Sequence, residues 1–168
     1  MKVDLAAVIM GWDKALLTLD HLLGKAGERA AADGIAGTEV LEWRLAPDMF
    51  TLRQQAQAVC NLASEWAARA AGVELPSLAV GEADLSKLKE SVAEARCFLA
   101  GLDAAQLEGK DAVPITVELG TIQPTMPIGQ WVMGFANTNI LFHLSMAYAI
   151  LRSRGVALAK PDLFAGGL

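Results

Sequence analysis

The sequence predicts a mainly all-α protein, in which four long helices form a bundle and a short β-hairpin precedes the last of them. Apolar residues recur at spacings of three and four in four separate stretches, as they do on helices that bury one face. Only one stretch, around residues 113–126, alternates with period two. Because four such helices can cover one another's apolar stripes, residues 1–168 are predicted to form a single helical-bundle domain.

The first half of the chain supplies two of the long helices and a short one. Asp4 precedes the apolar stripe of the first helix, and Pro47 stops a short helical piece after it. The second long helix starts at Thr51, because Thr51 and Gln54 have the spacing of a capping box. Gly72 is placed to end this helix. The predicted long helices span residues 4–33 and 51–71.

The second half supplies the other two long helices and the hairpin between them. Asp84 is positioned to cap the third helix, and Asp103 to cap one further turn. Gly120 supplies the turn of the hairpin, and Gly155 ends the last helix. The predicted elements are a helix over 84–102, a hairpin over 113–126 and a helix over 128–154.

Charge and hydropathy limit the partners. The net charge is −5 with no basic patch, so no nucleic acid is expected to bind. Between Glu118 and Arg152 there is no fully charged residue, which is long enough to cross a bilayer. Pro124 and Pro127 interrupt that run and polar residues follow them, so no membrane association is predicted. An uncharged last helix instead predicts a homodimer, in which a second copy covers the surface that the bundle leaves open.

The start of the chain and the cysteines indicate the compartment. "MKVDLAAVIM" has Asp4 before its apolar run and no small-residue cleavage site, so a cytoplasmic protein without a signal peptide is expected. Cys60 and Cys97 both lie in helical stretches, where two small buried thiols are expected and a disulfide is the alternative.

A polar seam in the last helix is the candidate site. Asn139 and His143 are four residues apart, so their side chains share one helix face, and most of their neighbours on that face are apolar. We expect both to face the second long helix near Gln55. Asp48 and Tyr148 are further candidates for ligand contacts, although a turn carboxylate and a bundle-edge ring are their ordinary structural roles.

Two stretches resemble a known group of proteins. "HLSMAYAILRSRGV", with His143, Leu151, Arg152 and Gly155, resembles the last helix of the DinB/YfiT-like superfamily of proposed metalloenzymes. Together with "RLAPDMFTLRQQAQ", it resembles an uncharacterised branch of that superfamily, a domain-of-unknown-function family. The resemblance implies a DinB-like bundle over nearly the whole chain.

The resemblance also implies a metal site that this sequence only partly retains. The superfamily site has two histidines four residues apart on the last helix and a third on the second helix. Here Asn139 precedes His143, the second helix has Gln55 as its nearest polar candidate, and His21 lies outside the pattern. Amides are poor ligands for zinc or nickel. No cofactor is therefore expected, with a zinc or nickel ion at His143 as the alternative.

Three functions remain open at this stage. The first is a protein that binds a small molecule in a bundle cavity lined by His143 and Asn139. The second, implied by the resemblance, is a metal-dependent transferase or hydrolase that acts on a small thiol or a related substrate. The third is a structural dimer without chemistry of its own. Whether the protein is an enzyme is left open, because a fold alone does not define a reaction.

Overall fold

The computed structural model describes residues 2–77 and 81–167, which form a helical bundle with a small antiparallel sheet. The last helix begins as α5, continues as a π-helical segment and ends as α6, and we refer to these three pieces together as the last helix. Two 3₁₀ turns, Ala104–Gln106 before the hairpin and Lys160–Phe164 after the last helix, lie among the described residues. The other elements are α1 Leu5–Asp33, α2 Gly37–Leu41, α3 Leu52–Ala71, α4 Leu85–Ala100, β1 Pro114–Thr116, β2 Thr125–Pro127, α5 Ile128–Gln130, the π-helical segment Trp131–Ala136 and α6 Asn137–Ser153.

The predicted helix caps are present. The Asp4 carboxylate accepts a hydrogen bond from the backbone of Ala7, and Asp84 caps α4 in the same way. At the start of α3, the Gln54 N–H donates to Thr51 Oγ1 at 3.2 Å and the Thr51 N–H donates to Gln54 Oε1 at 2.9 Å, which completes the capping box. Gly72 ends α3 with a positive φ of 70°, a conformation that costs glycine little.

The centre of the bundle is formed by α3. It packs against the last helix on one side and α4 on the other, while α1 packs against α4, the last helix and α3. Alanines are frequent on its buried side, and small residues let neighbouring helices approach closely. The residues of α3 that are at most 2% exposed are Leu52, Gln55, Ala56, Val59, Ala63, Trp66, Ala67, Ala68 and Ala70.

The hairpin leads directly into the last helix. Ile115 pairs with Met126 in the two-stranded sheet, as the period-two pattern predicted. The Gly129 N–H then donates to the Asp111 carbonyl at 2.9 Å. A Cβ at position 129 would lie 3.0 Å from that oxygen, so the close approach favours glycine.

The last helix differs from the prediction in one respect, because its second turn is π-helical. In this segment backbone N–H groups bond five residues back, as Asn137 does to Val132. The segment carries Trp131 and Phe135, whose rings pack on Trp66 of α3 at centroid distances of 5.7 and 5.5 Å. The apolar pattern indicates the helix but does not specify this wider turn. Among residues 2–77 and 81–167, no helix has both the length and the apolar character that a membrane span requires.

The prediction of two buried cysteines is wrong for one of them. Both thiols are free, and Cys60 is buried, but Cys97 is exposed. The buried positions of α4 include Ala95 and Leu99. Because residue 97 lies two positions from each of them, its side chain points to the opposite face of the helix.

Candidate functional site

A hydrogen bond between His143 and Gln55 joins the last helix to α3. The His143 Nδ1 atom lies 2.7 Å from Gln55 Oε1. An amide oxygen can only accept, so Nδ1 carries the proton and donates it, and the lone pair of Nε2 remains available. Gln55 is only 2% exposed, whereas His143 is half-buried. The pair therefore has one buried member and one that reaches the surface.

Two phenylalanine rings flank the imidazole. Phe50 is stacked on His143 with a centroid distance of 5.9 Å and an interplanar angle of 14°. Phe142 meets it edge to face at 5.3 Å and 78°. Both phenylalanines are about half exposed. The imidazole thus lies against two rings, and the exposed parts of these rings make the surrounding surface apolar.

The electrostatic state of His143 follows from this environment. Burial lowers the pKa of His143 below its ordinary value of 6.5, because the apolar surroundings disfavour the charged ring. At neutral pH the imidazole is consequently neutral, with a proton on Nδ1 and an acceptor at Nε2. Such a group can accept a hydrogen bond or act as a base.

The site lies at the edge of the helix contact and opens at the surface, whereas the sequence pattern predicted a cavity inside the bundle. The buried positions of α6 include Ile140, Leu144 and Ala147, which pack in the core. His143 lies about 100° around the helix from Leu144 but only about 60° from Ile140, so it stands at the edge of the core-facing stripe. Grooves of about 500 to 560 Å³ occur elsewhere on the protein, and His143 lines none of them.

Among the described residues, Asn139 forms no hydrogen bond with His143. The Asn139 Nδ2 donates to the Phe135 carbonyl at 2.8 Å, within its own helix and at the end of the π-helical segment. Asn137 accepts a hydrogen bond from Trp12 Nε1 at 3.2 Å. Two amides of the polar seam therefore have structural partners.

The remaining predicted residues, Asp48 and Tyr148, form no hydrogen bond with His143 in the described part of the chain. Asp48 is exposed in the turn before α3, and Tyr148 is half-buried against the core. Across residues 2–77 and 81–167, neither side chain forms a hydrogen bond with the imidazole.

Sequence reasoning missed the two phenylalanines, although a signal for Phe50 exists. Phe50 directly precedes the N-terminal cap Thr51, and Gln55 is the fourth residue of α3. In the hydrophobic staple, side chains at these two positions meet across the first helical turn. Any residue at position 50 was therefore placed near Gln55 and its partner.

The side chains present do not fit a transition-metal site. Within the described part of the chain, no three His, Cys, Asp or Glu side chains are grouped closely enough to hold a metal ion. Gln55 Oε1 already accepts from His143, and the other histidine, His21, lies 2.7 Å from the Asp162 carboxylate. One imidazole with amide neighbours is a weak donor set for zinc or nickel.

The bundle, the hairpin before its last helix and a histidine facing the second long helix together define a DinB-like protein. The crystal structure of a DinB family member protein from Shewanella denitrificans superposes with a TM-score of 0.84 at 27% sequence identity, and the match covers 95% of this chain and 90% of that one. The predicted DinB-like fold is thereby confirmed.

The chain belongs to the family described as Domain of unknown function (DUF1993), which matches residues 6–164. The predicted membership of a domain-of-unknown-function family within the DinB-like group is therefore also confirmed. No curated protein matches the chain significantly.

The lowered pKa of His143 predicts how stability depends on pH. Between the ordinary pKa of 6.5 and the lower pKa in the folded protein, the unfolded chain binds more protons at this residue. The free energy of unfolding should therefore fall as the pH decreases below about 6.5 and be unaffected by this group above it. Urea denaturation from about pH 5 to about pH 8 measures this.

The comparison with His143→Gln isolates this residue, since every other titratable group is shared. The difference in unfolding free energy between the wild type and the variant should shrink on acidification. A difference that grows below about pH 6.5 would show that folding raises the pKa of His143 instead.

Proposed function

We propose that this protein binds a small molecule at the surface site around His143. The observation that carries the proposal is the 2.7 Å hydrogen bond from His143 Nδ1 to Gln55 Oε1. It fixes the neutral tautomer and leaves Nε2 as an oriented acceptor beside apolar surface. Ligand sites usually combine apolar walls with a small number of precisely placed polar groups.

The neighbouring residues define the kind of ligand. A neutral imidazole accepts a hydrogen bond, so the ligand should carry an O–H or N–H donor and not a carboxylate at this point. Phe50 and Phe142 favour an apolar or aromatic body next to that donor. We assign Gln55 the role of positioning the imidazole, and Asn139, Asp48 and Tyr148 the rim of the site.

The proposal assigns no metal ion to His143. The alternative function, a metal-dependent transferase or hydrolase acting on a small thiol, needs two further strong ligands beside the imidazole. The Gln55 Oε1 already accepts from His143, and an amide oxygen such as that of Asn139 is a weak ligand for zinc or nickel. This arrangement favours binding over the metal-dependent alternative.

Replacement of His143 should separate the roles of its nitrogen and its ring. Phenol serves as the probe because it combines an O–H donor with an aromatic body, and toluene serves as its match without the donor. The wild type should prefer phenol, and His143→Phe should lose that preference while it keeps the ring between Phe50 and Phe142. Chemical-shift titration measures both affinities.

Two controls accompany this titration. Gln57→Leu changes an exposed amide on α3, the helix that carries Gln55. This amide donates to the Gly81 carbonyl, and its loss should leave phenol binding unchanged. Metal analysis of the wild type and His143→Ala should give equal contents near zero. One zinc or nickel ion per chain that disappears in His143→Ala would refute the proposal, as would equal affinity for phenol in wild type and His143→Phe.

We also propose that the protein forms a homodimer through the exposed face of the last helix. Met133 and Leu141 are exposed there, and the exposed Thr138 and Ser145 are uncharged. A helix face without charge is expensive to leave in water and can pair with an identical face across a two-fold axis.

A charge placed on this face should separate the two subunits. Met133→Glu, at a side chain that is 39% exposed, should convert the dimer to a monomer by burying an unpaired carboxylate. Met10→Glu on α1, where methionine is 69% exposed, is the matched control and should stay dimeric. Sedimentation equilibrium distinguishes them. A wild-type monomer at high micromolar concentration would contradict the proposal.

A further inference from the structure

A second groove lies at the other end of the contact between α3 and the last helix. It has a volume of about 500 Å³, within the size range of small-molecule sites. One wall is a face of α3 with Leu62, Glu65 and Arg69, and the opposite wall is the hairpin segment around Glu118. Phe135, from the π-helical segment of the last helix, also lines it.

Arg69 is held in a fixed position on the α3 wall. Its Nε and Nη2 atoms donate to Glu65 Oε1 at 3.1 and 2.8 Å, and its guanidinium lies 5.5 Å from the centroid of the Trp66 ring. The Nη1 atom forms no hydrogen bond with residues 2–77 or 81–167. A guanidinium that is already ordered loses little entropy when it binds an anionic group, so this edge is a prepared donor.

Glu118 supplies the opposite charge on the hairpin wall. One of its carboxylate oxygens accepts from Gln123 Nε2 at 2.9 Å. The other accepts no hydrogen bond from the described part of the chain. Since Glu65 already neutralises much of the charge of Arg69, the groove presents a directed donor on one side and an unshared carboxylate on the other.

The apolar base of the groove is rigid. Trp66 is stacked on Trp131 with a centroid distance of 5.7 Å. The Phe135 ring packs on both, with centroid distances of 5.5 Å to Trp66 and 5.8 Å to Trp131. Trp131 is fixed in turn by the hydrogen bond from its Nε1 to the Ile115 carbonyl of β1, at 3.2 Å. Packed rings of this kind offer contact area at a low entropic cost.

We infer that this groove binds a small zwitterion with an apolar body, of the amino-acid class. The carboxylate of such a ligand pairs with Arg69, its ammonium pairs with Glu118, and its apolar body lies toward Phe135. A simple acid lacks the ammonium group that pairs with Glu118 and is repelled by that carboxylate, and a simple amine lacks the carboxylate that binds the open edge of Arg69. The groove therefore favours a ligand that carries both charges. This site is independent of the one proposed at His143.

Three matched probes test the selection. L-Phenylalanine carries both charges, 2-phenylethylamine lacks the carboxylate, and 3-phenylpropionate lacks the ammonium group. By isothermal titration calorimetry at neutral pH, the wild type should bind phenylalanine at least about tenfold more tightly than either analogue, since each lost charged contact is of that order.

Two substitutions assign the contacts. Arg69→Gln should reduce the affinity for phenylalanine to about that for the amine, and Glu118→Gln should reduce it to about that for the acid. Arg44→Gln and Glu108→Gln are the controls. The Arg44 side chain is 39% exposed, compared with 43% for Arg69, and it also pairs with a glutamate. Glu108 is exposed and lies outside this groove. Both controls, and His143→Ala, should bind phenylalanine like the wild type.

Several results would overturn the inference. These are an analogue that binds the wild type as tightly as phenylalanine does, no binding of any probe, and control variants that lose as much affinity as the groove variants. Because Glu118 is exposed on the hairpin, Glu118→Gln keeps the test valid even if Arg69→Gln fails to fold.

Discussion

The packing of α3 against the last helix is the contact on which the rest of the structure depends. The two helices run antiparallel, so Gln55 near the start of α3 lies beside His143, and Trp66 near its end lies beside Trp131. Small wholly buried residues on both sides, such as Ala63 and Ala147, let the backbones approach closely. One apolar contact thereby positions two different surface features, one at each end.

The same contact explains why His143 and Gln55 depend on each other. An amide as deeply buried as that of Gln55 needs a hydrogen-bond partner, and an unpaired one costs about 1–3 kcal/mol. His143 provides that partner and is itself partly withdrawn from water, which lowers its pKa. The bond thus contributes to the folded state while it orients Nε2 outward. The stability of this site and the ligand recognition proposed for it therefore rest on one interaction.

Much of the fold was predictable because its signals are local. The cap residues Asp4, Thr51 and Asp84 and the apolar stripes define the long helices, and period-two alternation defines the hairpin. The π-helical turn at Trp131–Ala136 was not predictable, because it depends on how Trp131 and Phe135 pack on Trp66, a contact distant in sequence.

The candidate site was likewise predictable only in part. Helical spacing placed His143 toward Gln55, but spacing of four did not pair Asn139 with His143, because the Asn139 side chain bonds to its own helix at Phe135. An enclosed cavity was expected because the apolar periodicity identifies the buried side of a helix only as a broad arc of its surface. That arc includes both Leu144, which lies in the core, and His143, which lies at its edge. Only the packed structure distinguishes the two positions.

The central claim is that Gln55 holds His143 as a neutral imidazole with its acceptor nitrogen directed outward. Nitrogen-15 NMR of the labelled imidazole tests this most directly, because protonated and unprotonated ring nitrogens differ widely in chemical shift. We expect Nδ1 to carry the proton and Nε2 to be unprotonated at neutral pH, and Gln55→Leu to produce a mixture of tautomers. A ring protonated at Nε2, or at both nitrogens, at neutral pH would contradict the account.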